Sequence, residues 1–296
     1  MLQDLVNALT LGSIYALFSL GLSLAWAGLG ILNLAHGSIF MTGALTAWKV
    51  SQSAPQLPFV VVLLIAVSIG AALGLAMELL VFRPVRKRAT SDHQNALIMV
   101  IATIATAALL IAIAVEITGG QPRSIGQDLF TVTTHNVGPI LISNIQIIII
   151  ITALVASAGV ARFIQKSRHG RALRALAVDR DMAKMSGVSA DLLSAGTVAA
   201  AGAAAGLAGL LLAVQVNAVE AHVGEPLLFK AFAILIIAGV GSIRATVIAA
   251  FALAVIETAV VAYWASDLRD VVVFAVIIAF LVVRPQGIST KGWQRA

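Results

Sequence analysis

Charge is scarce in this sequence and cysteine is absent. The 296 residues include no Cys and only 11% are charged, whereas a soluble domain carries about 25%. Without cysteine the chain has no disulfide, no thiol nucleophile and no cysteine zinc site. So few charges cannot cover a soluble protein of this length. The composition therefore excludes a cytosolic enzyme, a disordered chain and a coiled coil.

Apolar residues occur instead in long, uninterrupted runs. They make up 60% of the chain, and the mean hydropathy is +1.02. A membrane β-barrel would alternate apolar and polar residues, but runs such as IQIIIIITALVASAGVA are continuous. We predict an all-α fold, a polytopic bundle of about eight or nine transmembrane helices, with residues 1–296 as a single membrane domain. The candidate spans are 5–27, 31–50, 57–82, 95–117, 139–163, 192–215, 227–241, 245–265 and 268–284.

The distribution of basic residues predicts the orientation. Lys and Arg collect in cytoplasmic loops because they translocate poorly. Most of the 19 basic residues lie in the loop after 57–82, in the loop 162–184 and near the C-terminus, whereas loops 118–138 and 217–226 hold almost none. We therefore place the C-terminus in the cytoplasm. If 5–27 and 31–50 both span, the N-terminus is outside; if one is re-entrant, it is inside.

Polar residues and glycines interrupt the apolar sequence near 28–45. Asn33 and His36 lie in GLGILNLAHGSIFMTGAL, next to Gly37. Polar side chains at membrane depth are costly unless they face a cavity or a partner, and broken backbone is tolerated only inside protein or along water. We predict a discontinuous helix here. Asn33 and His36 either satisfy backbone groups freed by the break or contact substrate. With no second ligand near His36, we expect no metal site.

A second interruption divides the apolar stretch 227–283. It contains Gly239, Gly241 and Ser242, which we place on the candidate substrate pathway with Asn33, His36 and Gly37. Two ionisable residues flank it inside predicted spans. Lys230 either attracts an anionic substrate or snorkels to the outer interface, and snorkelling is favoured. Glu257 lies mid-helix, so it needs a partner or a proton; it serves either the helix interface or the pathway.

The basic loop 165–191 reads as an amphipathic helix on the cytoplasmic side. From Arg171 to Ser186 it has neither Gly nor Pro, and Gly187 is expected to end the helix as its left-handed C′ residue. Asp191 is a candidate cap of the next membrane helix. Such a helix lies on lipid or docks in a partner's groove, and its mixed charge favours a protein partner.

Five motifs in order resemble the LivH-type permease subunits of branched-chain amino-acid ABC importers. They are NLAHG, GRALRALAVDRDMAKMSGVS, FKAF, AGVGS and RPQGI, between about Leu9 and Ile288. The resemblance implies a bacterial inner-membrane protein that works with a LivM-like second permease, two cytoplasmic ABC ATPase subunits and an extracytoplasmic solute-binding protein. It also implies that 165–191 is the coupling loop, which carries Arg171, Arg174, Ala175, Asp179, Ala183 and Gly187. Relatives often have Glu before the Asp, where this chain has Val178.

The expected function is therefore half of the translocation pathway of an ATP-driven importer for branched-chain or related amino acids. The chain has no G-x-x-x-x-G-K-[ST] motif, so we expect it to be no enzyme, to bind no cofactor itself and to leave ATP and Mg²⁺ to the partner subunits. The alternatives are a permease for urea, short amides or another small solute, and an ion-coupled secondary transporter. The last is disfavoured because proton relays use chains of intramembrane acids, and Glu257 is the one clear mid-span acid.

Overall fold

The structure, a computed structural model, describes residues 1–30, 32–88, 91–126, 129–138, 140–239, 241–264, 266–284 and 287–288. Nearly all regular structure in these ranges is helical. The helices are α1 (Leu2–Leu29), α2 (His36–Ser53), α3 (Phe59–Met77), α4 (Arg83–Arg88), α5 (Asp92–Thr118), α6 (Asn144–Lys166), α7 (Arg168–Val178), α8 (Arg180–Met185), α9 (Ala190–Val216), α10 (Gly224–Ala238), α11 (Ile243–Tyr263) and α12 (Arg269–Val283), with a π-helical turn at Glu78–Phe82 and a 3₁₀ turn at Ser266–Leu268.

One small sheet accompanies the helices. Strands β1 (Thr134–Val137) and β2 (Ile140–Ser143) pair antiparallel. The predicted span 139–163 was therefore wrong at its start, because Ser143 begins a capping box with Gln146 and only then does α6 begin. The basic residues Lys291 and Arg295 lie outside the described residues.

Within the described ranges, six helices are long and apolar enough to cross a membrane. They are Leu2–Trp26, Phe59–Arg88, Gln94–Thr118, Asn144–Lys166, Ala190–Val216 and Ile243–Tyr263. This confirms a bundle of membrane helices. The expected count of eight or nine is not confirmed, because α10 and α12 have only 15 residues each and α2 is less apolar than the six.

Helices α1 and α9 form the interior of the bundle. In their most apolar windows 89% of α1 and 67% of α9 are buried, against 17% of α5 and of α6. The peripheral helices therefore leave apolar side chains exposed, such as Ile101 and Leu154, which suits contact with lipid or a second membrane subunit.

Glycines bring the backbones of α9 and its neighbours into contact. A Cβ on Gly202 would overlap the Gly70 carbonyl of α3, one on Gly43 would overlap Gly206, and one on Gly209 would overlap the Phe40 carbonyl of α2. Small residues therefore line the faces of α9 that meet α2 and α3. Close backbone approach at small residues is how helices associate where lipid removes the hydrophobic drive.

Helix α3 continues through the π-turn into the basic residues that the sequence predicted to be a loop. Glu78 is fully buried and pairs with Arg86, as expected for an acid beside this basic cluster. Asp191 is not a cap: the N-cap of α9 is Ser189, and Asp191 stands in the first turn, 3.1 Å from Arg83. These ion pairs join the end of α3 to the start of α9.

We expect Gly202→Ala to destabilise the protein by about 1–3 kcal/mol, because the added methyl group overlaps the backbone of α3. The matched control is Gly196→Ala in the same helix, where a Cβ meets no atom within 4 Å. Thermal unfolding in detergent measures both variants. Equal midpoints would show that the α3–α9 contact does not limit stability.

Candidate functional site

The first helix break lies between α1 and α2. Gly30 ends α1 in the left-handed conformation at φ 73°, and its N–H donates to the Trp26 carbonyl at 2.7 Å. Asn33 is buried, and its Oδ1 accepts a hydrogen bond from the Ala35 N–H at 3.1 Å. The discontinuity predicted near 28–45 thus falls at residues 30–35, of which Ile31 lies outside the described residues.

His36 begins α2 and is fully buried. Its Nε2 is 3.1 Å from the Phe18 carbonyl oxygen, and its ring stacks on Phe18 at 4.6 Å between centroids. The carbonyl can only accept, so Nε2 carries the proton. In the part of the chain that the structure describes, Nδ1 has no hydrogen-bond partner. Asn33 thus holds an amide within the break, whereas His36 reaches a carbonyl in the middle of α1. Substrate contact by either residue stays a prediction.

Gly37 and the second break position helix α10. Gly37 packs against Gly224 so closely that a Cβ on either would overlap the other's backbone. After α10 the chain turns with Gly239 at φ 82° and Gly241 at φ 89°, and the Ser242 carbonyl accepts from the Thr246 amide at 2.9 Å. Only glycine adopts such φ values readily. The two breaks therefore fix the ends of α10.

A cluster of charged residues lies where α1, α10, α11 and α12 meet. Lys230 and Glu257 are each 1% exposed, and Lys230 Nζ is 2.8 Å from Glu257 Oε1. The Tyr15 hydroxyl donates to Glu257 Oε2 at 2.7 Å. The favoured interpretation of Lys230 was snorkelling to the outer interface; its ammonium is buried and paired, and its position relative to that interface stays a prediction. A buried partner offsets the cost of desolvating both charges.

Helix α12 adds two half-exposed charges to this cluster. Arg269 Nε is 2.7 Å from Glu257 Oε1, and Lys230 Nζ is 3.0 Å from Asp270 Oδ1. Sequence reasoning missed Arg269, Asp270 and Tyr15. Arg269 and Asp270 could have been noticed as two adjacent charges at the start of the last apolar segment. Charges at such a place need partners of opposite sign or contact with water.

The cluster opens into a cleft of about 660 Å³, within the roughly 300–1,000 Å³ usual for small-molecule sites. Its wall is mostly apolar and includes Leu11, Ile14, Leu212 and Phe274. Glu220, His222 and Glu225 also line it. An adjoining cleft of about 280 Å³ shares Arg269 and reaches Glu257 from the polar side chains of Asn7, Thr10 and Gln146. A ligand in these clefts would meet both charged groups and aliphatic surface.

The predicted coupling segment is two helices rather than one. Helix α7 ends where Asp179 turns extended at φ −151°, and Asp179 Oδ1 accepts from the Met182 amide at 2.9 Å, so this side chain starts α8. We predicted a single helix because residues 171–186 contain neither Gly nor Pro. An Asp whose side chain caps the following turn also ends a helix. Gly187, at φ 80°, follows α8 as predicted, and Val188 N–H reaches the Ala183 carbonyl at 3.1 Å.

Most of the predicted coupling residues lie on the open side of this segment. Arg171, Ala175, Asp179 and Gly187 are exposed, whereas Ala183 is buried. Arg174 is half-buried and donates to the Ile164 carbonyl of α6. Met182 and Met185 are 63% and 84% exposed, so the segment combines charge with large apolar side chains, as a protein-docking surface does.

These features define a multi-pass α-helical membrane protein with two helix breaks, a buried charge cluster and an exposed two-helix segment. The family described as "Branched-chain amino acid transport system / permease component" matches residues 5–281. The chain belongs to this family and is a transport permease subunit.

Three relatives by sequence agree with this assignment. The chain is 30% identical to the high-affinity branched-chain amino acid transport system permease protein BraD of Pseudomonas aeruginosa, over 97% of this chain and 95% of the relative. It is also 30% identical to LivH of Escherichia coli K12, over 97% and 94%. A probable LivH of Methanocaldococcus jannaschii is 25% identical, over 98% and 93%. A chain of PsaBC from Streptococcus pneumoniae in complex with Fab aligns at TM-score 0.47 and 12% identity, over 95% and 91%.

We expect Glu257→Leu to cost about 3–5 kcal/mol, because it leaves Lys230 buried with one fewer partner. The double variant Lys230→Met with Glu257→Gln should cost less, since it removes both buried charges and keeps an acceptor for Tyr15. Glu116→Gln, an exposed change on α5, is the control. Thermal unfolding in detergent compares them, and a double variant less stable than Glu257→Leu would contradict the ion-pair argument.

Proposed function

We propose that this permease subunit forms half of the translocation pathway of an ATP-driven importer for branched-chain amino acids. The observation that carries the proposal is family membership over residues 5–281, with relatives named for high-affinity branched-chain amino-acid transport. The cleft suits such a substrate, because its lining combines aliphatic side chains with groups of both charges. Its partners are a second permease, two cytoplasmic ATPase subunits and an extracytoplasmic binding protein. The permease subunit itself lies in the plasma membrane.

The proposal predicts ATP-dependent leucine uptake. The chain is purified with the products of its neighbouring genes and reconstituted in liposomes, and uptake of labelled leucine is measured with and without the binding protein. We expect uptake to need both ATP and the binding protein. ATP hydrolysis without leucine uptake would assign another solute, with urea and short amides tested next. Uptake that follows an ion gradient and ignores ATP would overturn the importer.

Helices α7 and α8 are the proposed contact with the ATPase subunits. Their exposed face carries Arg171, Ala175, Asp179 and Gly187 beside Met182 and Met185, which gives a partner both charge and apolar anchors. Closure of the ATPase dimer would move this segment, and the permease pair would switch between outward and inward openings. A ligand shifts the ratio of two conformations from 1:99 to 99:1 when its binding free energy differs between them by about 5.5 kcal/mol. Coupling therefore requires that ATP and the binding protein favour different conformations.

Asp179→Lys should uncouple ATP hydrolysis from transport, because it reverses the charge on this surface. Asp179→Asn is the matched variant, since its amide oxygen still accepts from the Met182 amide and so preserves the start of α8. We expect Asp179→Lys and Gly187→Trp to insert normally and to lose leucine uptake, measured beside ATP hydrolysis in liposomes. Normal ATP-driven uptake in both would rule out this coupling surface.

We further propose nine crossings, with the N-terminus outside and the C-terminus in the cytoplasm. Gln3 exchanges two hydrogen bonds with the Leu141 backbone, at 2.9 and 3.0 Å, so the start of α1 lies beside the start of α6. The far end of α6 is Lys166, at the basic segment that belongs in the cytoplasm. The short helices α2, α10 and α12 then complete crossings with the non-helical segments next to them.

The absence of native cysteine makes this topology measurable in intact cells. We expect a membrane-impermeant maleimide to label Leu2→Cys and the outer control Val132→Cys directly, and Met185→Cys only after permeabilisation. These side chains are 53%, 44% and 84% exposed. Protection of Leu2→Cys until permeabilisation would place the N-terminus inside and support eight spans.

A further inference from the structure

The charge cluster is a neutral ring of alternating charges. Lys230 and Arg269 each contact both Glu257 and Asp270, so two positive groups and two negative groups close on one another. Three of the four contacts are 2.7–3.0 Å, and the fourth, between Arg269 Nε and Asp270 Oδ1, is 3.7 Å. The ring is therefore weakest between its two α12 members.

The ring is closed on one side and open on the other. The side chains of Lys230 and Glu257 are 1% exposed, whereas those of Arg269 and Asp270 are 45% and 57% exposed. Separating a buried pair is costly, but an exposed pair is held weakly and exchanges partners readily. The inner pair thus serves as a fixed base, and the outer pair is available to a ligand from the cleft.

The cleft determines what that ligand is. Its lining combines Arg269 and Asp270 with aliphatic side chains such as Leu11 and Ile14. The acids Glu220 and Glu225 also line it. A ligand that carries one positive group, one negative group and an apolar side chain matches Asp270, Arg269 and the aliphatic side chains. Because ring and ligand are both neutral, occupancy adds no net charge beside the buried pair, whereas a simple amine or carboxylate adds one.

We propose that the ring binds the α-ammonium and α-carboxylate of a free aliphatic amino acid, inserted between Asp270 and Arg269. The carboxylate lies on Arg269, with Lys230 behind it, and the ammonium lies on Asp270. The aliphatic side chain packs in the cleft. This inference rests on the proposed function and adds to it a binding site within the permease itself, separate from the solute-binding protein.

A cysteine reporter tests the site without the binding protein. Phe274→Cys places a single thiol of this chain at the cleft wall, and the complex of permeases and ATPases in lipid nanodiscs is labelled with a maleimide and read by the mass of this chain. At a leucine concentration about tenfold above its Kd, labelling should slow about tenfold, because only the unoccupied fraction reacts. Leucinamide, which lacks the carboxylate, and 4-methylpentanoate, which lacks the ammonium, should not protect at that concentration.

Second substitutions in the reporter chain separate binding from folding. Asp270→Asn and Arg269→Gln should each abolish protection by leucine while the labelling rate without ligand stays unchanged, which shows that the cleft is intact. Glu116→Gln should protect like the parent. Protection that persists in Asp270→Asn, or equal protection by leucine and both analogues, would overturn the site.

The outcome also distinguishes this inference from the proposed function. A parental complex that imports leucine with ATP but shows no protection at Phe274→Cys overturns the amino-acid site and leaves the importer intact. A complex that imports no leucine overturns both.

Discussion

Close contact between glycine backbones is the constraint on which the rest of this structure depends. Helix α9 lies inside the bundle with α2 and α3 against it, and at Gly43, Gly70, Gly202 and Gly206 there is no room for a side chain. Such contact compensates for the missing hydrophobic drive between helices in lipid. It also fixes α2, whose first turn meets α10 at Gly37 and Gly224. The charge cluster on α10 is thereby held at a set position relative to α1 and α11.

That position explains how Lys230, Glu257 and Tyr15 persist in the interior, where charge is costly. Each buried group has partners of opposite sign within hydrogen-bond distance, and Tyr15 supplies a further donor to Glu257. The arrangement is neutral and draws on four helices. It therefore holds α12, otherwise a peripheral helix, to the interior of the bundle, and a movement of α12 must change its ion pairs.

Much of the fold could be predicted from the sequence, because each apolar run is long and bounded by charge or glycine. The break near Asn33 and His36 was predictable because polar residues and glycines interrupt an apolar run there. The left-handed Gly187 was predictable because glycine commonly ends a helix in that conformation. The β1–β2 hairpin was missed because Ile140–Ser143 is as apolar as the helix that follows it. Asp179 was missed as a break because its effect depends on a hydrogen bond to the Met182 amide.

The candidate site was only partly predictable for a different reason. Lys230 and Glu257 stand out as charges in apolar segments, but their sequence separation conceals that they are partners. Arg269 and Asp270 lie at a span boundary, where charge is ordinary. Their joining is a property of how α10, α11 and α12 pack, and single-sequence patterns carry no information about that packing.

The fastening of the coupling segment has a mechanical consequence. Gly170 packs directly on the carbonyls at the end of α6, and Arg174 grips the Ile164 carbonyl, whereas α8 passes through Gly187 into α9. Helix α7 is thus fastened to the peripheral helix α6, and its buried Leu173 shares a cluster with Leu24 of the interior helix α1, whereas α8 is linked to α9 by a turn. In the proposed coupling role, a displacement at Asp179 would reach the peripheral helix α6 through α7 and the interior helix α9 through α8.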